Sequence, residues 1–220
     1  AVNPTCGRET QYRVLPKAEE KKKCVVIGGG PSGMLAAQVL AKRGHDVVLF
    51  EKEKELGQKL YEISNLSFKG DMRRYWKWDV ETTKKCGAKI VLGTAATPEL
   101  VMAEDPDAIF IAVGSSPIVP PIPGIERTAG ILDVDNDRVE VGQKVVVCGG
   151  GLSGTECALE LAYKGKDVTV VDMLPVEAFA KDAAPAPYTM LHALLKKNNV
   201  RLVGNSKVLS ISAKGVEIID

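Results

Sequence analysis

Lys23–Lys52 reads KCVVIGGGPSGMLAAQVLAKRGHDVVLFEK, and this stretch decides the fold. Cys24–Ile27 is an apolar run with three β-branched residues, the composition of a buried strand. Gly28-Gly29-Gly30-Pro31-Ser32-Gly33 follows and fits G-x-G-x-x-G. Met34 to Lys42 is helical in pattern, Gly44 stops it, and Val47–Phe50 is a second apolar run that ends on Glu51. The order is strand, tight turn, helix, strand, acid. Each glycine has its own physical role. Gly28 permits the turn, Gly30 lets backbone approach a pyrophosphate on the helix N-terminus, and Gly33 lets helix and strand pack closely. Glu51 stands eighteen residues after Gly33, where a carboxylate can accept hydrogen bonds from ribose hydroxyls.

The pattern recurs. Lys144–Met173 reads KVVVCGGGLSGTECALELAYKGKDVTVVDM, with Gly149, Gly151 and Gly154 in the places of Gly28, Gly30 and Gly33, and Asp172 in that of Glu51. The offset is a constant 121 residues (28 to 149, 33 to 154, 51 to 172), and Gly44/Gly165 and Asp46/Asp167 keep it. One glycine-rich turn is weak evidence; two ungapped copies in register imply two nucleotide sites in two related domains. The fold class expected is α/β, with two Rossmann-like, doubly wound parallel sheets and antiparallel β additions.

Bulk properties exclude several alternatives. At 220 residues, one or two domains with a real core are allowed. Hydrophobic residues make up 45% and charged residues 26%, as in soluble globular proteins. A net charge of +1 implies no general affinity for nucleic acid. No apolar run is long enough to span a bilayer and no signal peptide is read, so no membrane partner is expected and a cytoplasmic location is the default. Cys6, Cys24, Cys86, Cys148 and Cys157 form no C-x-x-C, which signals neither zinc nor a redox dithiol. Cys24 and Cys148 in strands and Cys157 on a helix read as small buried hydrophobes. No metal site and no acid–base pair or nucleophile stands out.

Outside the two units, residues 1–23 lack a hydrophobic period and read as an extended lead-in. Residues 53–70 read as a loop-rich stretch. Asp71–Cys86 is expected to be a helix stopped by Gly87, Lys89–Leu92 a strand and Pro98–Ala103 a helix. Trp76 and Trp78 read as packing rather than a stacking platform. Asp107–Gly114, DAIFIAVG, is expected to be a central parallel strand whose end approaches a ligand. Ser115–Gly124 carries four prolines and reads as a stiff connector, where the domain crossing is placed. Asp133–Asn136 is expected to begin a helix, residues 174–187 to form a loop, Tyr188–Asn198 a helix, Arg201–Val203 a strand, and Ser206–Ser212 and Gly215–Ile219 an antiparallel pair. His45 and His192 read as solvated, capping or packed.

The doubled fingerprint, with DAIFIAVG between its halves, resembles the two-dinucleotide-binding-domain flavoproteins. Ala112-Val113-Gly114 looks like that family's A-x-G element near the flavin. Ala1-Val2-Asn3-Pro4-Thr5-Cys6-Gly7-Arg8-Glu9 further resembles the junction in old-yellow-enzyme-like NADH:flavin oxidoreductases, a group that includes 2,4-dienoyl-CoA reductase, 2-enoate reductase, bile-acid dehydroxylation enzymes and trimethylamine dehydrogenase. Phe68-Lys69-Gly70-Asp71-Met72-Arg73-Arg74-Tyr75 and Thr97-Pro98-Glu99-Leu100 resemble the enoate reductase branch. Where the family usually has Leu-Gly-Gly-Gln-Leu near the flavin, this chain has Leu56-Gly57-Gln58-Lys59-Leu60.

The resemblance implies the carboxyl-terminal part of such an enzyme: residues 1–22 a linker from an FMN-bearing barrel with a 4Fe-4S cluster, 23–117 an FAD domain whose closing segment lies elsewhere, and 118–220 an NAD(H) domain. Gly28, Gly30, Pro31, Ser32 and Gly33 would hold the FAD pyrophosphate, Glu51 its adenosine ribose and Ala96 lie near adenine. Lys52, Gln58, Ala112 and Gly114 complete the implied FAD set. Gly149, Gly151, Leu152, Ser153 and Gly154 would hold the NADH pyrophosphate and Asp172 its ribose. The implied activity is hydride transfer from NADH to FAD, with electrons passing through the cluster to FMN to reduce an activated C=C bond. Two readings stay open beside it: a non-catalytic nucleotide-binding module, and a stand-alone flavin disulfide reductase, which needs a dithiol that no C-x-x-C here supplies. The alkene substrate and the oligomeric state, a homo-oligomer included, are not legible.

Overall fold

The computed structural model describes residues 6–12 and 14–220. The chain divides into two compact units, one of residues up to Tyr61 with Asp71–Ser116, the other of Glu62–Gly70 with Pro117–Asp220.

Unit 1 is built on β1 (Lys23–Ile27), α2 (Pro31–Arg43) and β2 (Asp46–Phe50). A short helical turn, α1 (Glu9–Tyr12), precedes them in the stretch read as extended. Then follow α3 (Gln58–Ile63), α4 (Gly70–Lys84), β3 (Lys89–Val91), α5 (Pro98–Ala103) and β4 (Ala108–Ile111). The four strands are parallel in the order β3-β2-β1-β4. That reversal of order beside β1 is the switch point of a doubly wound sheet. Side chains alternate between the two faces. Cys24, Val26, Val47 and Leu49 pack with Met34 and Ala37 of α2 and with Val80 of α4. Val25, Val48 and Phe50 pack with Val101 of α5 on the other face. Gly44, in the left-handed region at φ +99°, ends α2: its amide donates to the Ala41 carbonyl and the next amide, of His45, to that of Leu40.

Unit 2 repeats the plan with β5 (Lys144–Cys148), α7 (Leu152–Tyr163) and β6 (Asp167–Val171). It adds α6 (Ile131–Asp135), α8 (Pro185–Lys197), β7 (Arg201–Val203) and the antiparallel pair β8 (Lys207–Ser212) and β9 (Gly215–Ile219). The parallel order is β5-β6-β7. One core joins Val147, Val168 and Val170 of the sheet to Cys157, Ala158, Leu159 and Leu161 of α7 and Leu191 and Leu195 of α8.

Glu62–Gly70 is held to unit 2 by polar side chains. Asn65 donates to the Asp135 carbonyl and Asn136 to that of Glu62, while the Ser67 amide and hydroxyl both donate to Glu160. Lys69 pairs with Glu156 at 2.5 Å and Arg138 with Glu62.

Several expectations are corrected. The loop-rich stretch expected at 53–70 contains α3, because Leu60 has a core to enter and Gly57 supplies the turn that starts the helix. The strand expected to be central is an edge: β4 pairs only with β1 among the described residues, and Ile109, Phe110 and Ile111 are exposed. A continuous apolar run reports what a strand is suited to, not its place in the order. Residues 174–187 include a 3-10 turn at Val176–Ala178 and the start of α8 at Pro185, whose fixed φ suits a first helical turn. Cys24 and Cys157 are buried, but Cys148 is exposed at the end of edge strand β5. Trp76 packs edge-on to Tyr61 and donates to the Leu56 carbonyl; Trp78 is mostly exposed. Among the described residues no helix is long and apolar enough to cross a membrane.

Candidate functional site: two dinucleotide loops

The turn from β1 to α2 shows why glycine is needed at two positions. Gly28 has φ +101°, and a Cβ there would lie 2.3 Å from the Ala112 carbonyl oxygen. A Cβ on Gly33 would lie 1.8 Å from the carbonyl oxygen of Gly28, so helix and turn are in direct backbone contact. Gly30 differs: its φ of −72° suits any residue, and a Cβ would meet open space. That space lies at the N-terminus of a thirteen-residue helix whose N-cap makes no side-chain hydrogen bond. Pro31 has no N–H to leave unpaired, and the first intrahelical bond is from Met34 to Gly30. The first-turn amides of Ser32 and Gly33 are therefore orphan donors with the positive end of the helix behind them.

The second loop has the same three glycine environments. Gly149 has φ +121°, a Cβ on Gly154 would lie 2.1 Å from the Gly149 carbonyl oxygen, and Gly151 faces open space. Helix α7 again lacks a side-chain cap, and its first bond runs from Thr155 to Gly151, leaving Leu152, Ser153 and Gly154 as orphan donors.

Both acids stand at the ends of their strands, and each has a second role that spacing alone does not show. Glu51 is buried; its Oε2 accepts from the Gly29 amide at 2.5 Å and its Oε1 from the Glu53 amide at 2.8 Å. Asp172 Oδ2 accepts from the Gly150 amide at 2.6 Å and Oδ1 from the Leu174 amide at 2.8 Å. Each carboxylate thus braces the middle of its own loop, and each oxygen retains a further acceptor site.

The remaining expected residues divide. Ala112 is at the first loop, in contact with Gly28 and 3.4 Å from a Cβ on Gly33. Gln58 begins α3 directly after Gly57, whose amide donates to the Gly29 carbonyl. Ala96 packs against the Val25, Val48 and Val101 cluster. Lys52 points to solvent beside Glu53, and Gly114, at φ +71°, is exposed with no neighbour within 4 Å of a Cβ. Gly29 and Gly150 stand at the free position of G-x-G and carry no signal in the sequence. What marks them is tertiary, since a Cβ on either would collide with a side chain from beyond the second strand.

Open space over a helix N-terminus, free amides and an acid at the next strand end are what a dinucleotide requires, so both loops fit the group.

Comparison with known proteins agrees. Residues 22–219 match the family described as pyridine nucleotide-disulphide oxidoreductase. Cinnamate reductase of Clostridium sporogenes is 39% identical over 98% of this chain and 32% of its own length. Bilirubin reductase of Mediterraneibacter gnavus is 37% identical over 98% of this chain and 34% of its own. The solved complex of 2-naphthoyl-CoA reductase with 2-naphthoyl-CoA superposes with a TM-score of 0.87 at 32% identity, over 99% of this chain and 33% of that one. The chain thus spans about a third of these relatives. The resemblance to the FAD/NAD-binding part of old-yellow-enzyme-like reductases holds, and the family implies FAD and NAD(P)H. With both loops and the match over nearly its whole length in place, the chain belongs to the pyridine nucleotide-disulphide oxidoreductase family.

Proposed function

We propose that the chain is the electron-input module of a larger flavin oxidoreductase, taking a hydride from NADH onto FAD and feeding an iron–sulfur and FMN part that reduces an enoate or enoyl-CoA C=C bond. The observation that carries it is the pair of equivalent open helix N-termini, one per unit, each with its own strand-end carboxylate. The relatives' names, reductases of cinnamate and 2-naphthoyl-CoA, support the C=C assignment.

The bound cofactors supply the redox chemistry; the protein supplies binding, orientation and electrostatics. In residues 23–117, taken as the FAD domain, the amides of Ser32 and Gly33 would hold the pyrophosphate, with Gly30 leaving the space open. Glu51 accepts from the adenosine ribose, with Pro31, Lys52, Gln58, Ala96, Ala112 and Gly114 bordering the site. In residues 118–220, taken as the NAD(H) domain, Leu152, Ser153 and Gly154 would hold the pyrophosphate, with Gly151 leaving the space open and Gly149 making the turn. Asp172 accepts from the ribose. Its charge disfavours a 2′-phosphate and the next two residues, Met173 and Leu174, offer no cation to one, which selects NADH over NADPH. Residues 1–22 are the linker.

The test is an anaerobic absorbance spectrum of the chain with FAD, before and after NADH. Bound flavin bands that bleach with NADH are expected. NADH bound without flavin would limit the assignment to the second site; neither bound would leave a structural module.

A further inference from the structure

The middle glycine of each loop is held from above by a two-residue clamp, and the two clamps match although the sequence does not align them. In unit 1 a Cβ on Gly29 would lie 2.6 Å from Leu56 Cδ2. The next residue, Gly57, donates its amide to the Gly29 carbonyl at 2.8 Å and has φ +70°. In unit 2 a Cβ on Gly150 would lie 2.7 Å from Phe179 Cγ. The next residue, Ala180, donates to the Gly150 carbonyl at 2.8 Å and has φ +54°. Both apolar side chains are about 99% buried. The clamp follows the acid by five residues in unit 1 (51 to 56) and by seven in unit 2 (172 to 179), so the 121-residue offset breaks and hides it.

We propose that Phe179 and Ala180 are positioning residues for the loop Gly149–Gly154, the unit 2 counterpart of Leu56 and Gly57, and that they set its affinity for the nicotinamide dinucleotide. The inference rests on the assignment of that loop as the NADH site. Gly150 has one amide and one carbonyl, and both are taken: the amide by Asp172, the carbonyl by Ala180. The ring of Phe179 closes the third direction. The peptide that leads into the open helix N-terminus is therefore oriented before ligand arrives, which removes an ordering cost from binding. His192 of α8 extends the clamp, with Nε2 2.9 Å from the Phe179 carbonyl oxygen and its ring tilted against that of Tyr188.

The test measures NADH binding to the chain by calorimetry together with hydrogen exchange. Phe179→Ala is expected to weaken NADH about tenfold or more, to speed exchange of amides 149–154, and to leave β6 amides protected. Phe179→Leu, which keeps most of the volume and covers the case in which alanine fails to fold, is expected to fall between. Leu56→Ala is expected to lower FAD retention while NADH binding is kept. Parent-like NADH affinity in Phe179→Ala would overturn the inference and leave the function standing, as would faster exchange spread evenly through β6 and α7. A parent chain that binds no NADH would overturn both.

Discussion

Two glycines three residues apart in the first loop are expected to fail in opposite ways when replaced by alanine. At Gly33 the new Cβ would lie 1.8 Å from the Gly28 carbonyl oxygen, against an ordinary contact of at least 3.4 Å. The conflict is with backbone, so it is relieved only by moving α2 away from β1 by more than an ångström. Overpacking of this kind costs roughly 1–3 kcal/mol, of which alanine's better helix propensity returns about 1. The clash is with backbone, which places the cost in the upper half of that range; the net loss of about 1–2 kcal/mol lowers the midpoint of a unit of this size by about 5–15 °C. At Gly30 the Cβ meets nothing within 4 Å and φ is −72°. Stability there is expected to change by only a few tenths of a kcal/mol, in the range of a glycine-to-alanine change at an N-cap. The methyl group instead occupies the space over the helix N-terminus. Gly30→Ala is therefore expected to keep its apoprotein midpoint and lose FAD, and Gly33→Ala to lose midpoint first. Thermal unfolding of the apoprotein and flavin content after gel filtration give both readings. A Gly30→Ala chain that unfolds early, or a Gly33→Ala chain that melts with the parent, would refute the roles assigned to the two positions.

The remaining predictions test the second acid, a buried carboxyl and the thiols. Asp172→Ser with Met173→Arg is expected to raise the NADPH/NADH affinity ratio about tenfold or more by removing one charge and adding its opposite. It is also expected to weaken NADH itself, because a single serine hydroxyl cannot span the Gly150 and Leu174 amides as the carboxylate does; an unchanged ratio in calorimetric titrations would dismiss the specificity role. Asp79 is buried between α4 and α2, where loss of hydration raises its carboxyl above the ordinary value of 3.8, offset in part by the hydrogen bond from Gln38. The folded chain then holds a proton that the unfolded chain releases, so this group's contribution to stability falls as pH rises from 3.8 through the raised value. Asp79→Asn is expected to flatten that decline in unfolding midpoints above pH 3.8 and to raise the midpoint at neutral pH. Cys157 lies within 2% of full burial beside Asp135, which pushes its thiol far up, and Cys24 is equally enclosed. A maleimide label on the native chain is expected at Cys6 and Cys148 first, and at Cys24 and Cys157 only on unfolding.

The sequence by itself determined the two βαβ units, the turn roles of Gly28 and Gly149, the packing roles of Gly33 and Gly154, and the place of each acid. These are short-range properties: thirty residues contain the turn, the helix behind it and the strand that carries the carboxylate, so spacing alone carries the geometry. Helix ends such as Gly44 and the antiparallel pair after Arg201–Val203 were legible for the same reason. Tertiary structure alone decided how the acids use both their oxygens, because the partner amides of Gly29 and Gly150 lie twenty-two residues away across the sheet end. It placed β4 at the edge of its sheet, since pairing order is a long-range choice that an apolar run does not encode. It bound Glu62–Gly70 to unit 2 through Asn65, Ser67 and Lys69, polar residues that read as loop because their partners lie some seventy to ninety-three residues onward. And it matched Phe179 with Leu56 across a two-residue difference in spacing, because what the two loops share is a point in space over a glycine, which chain count does not preserve.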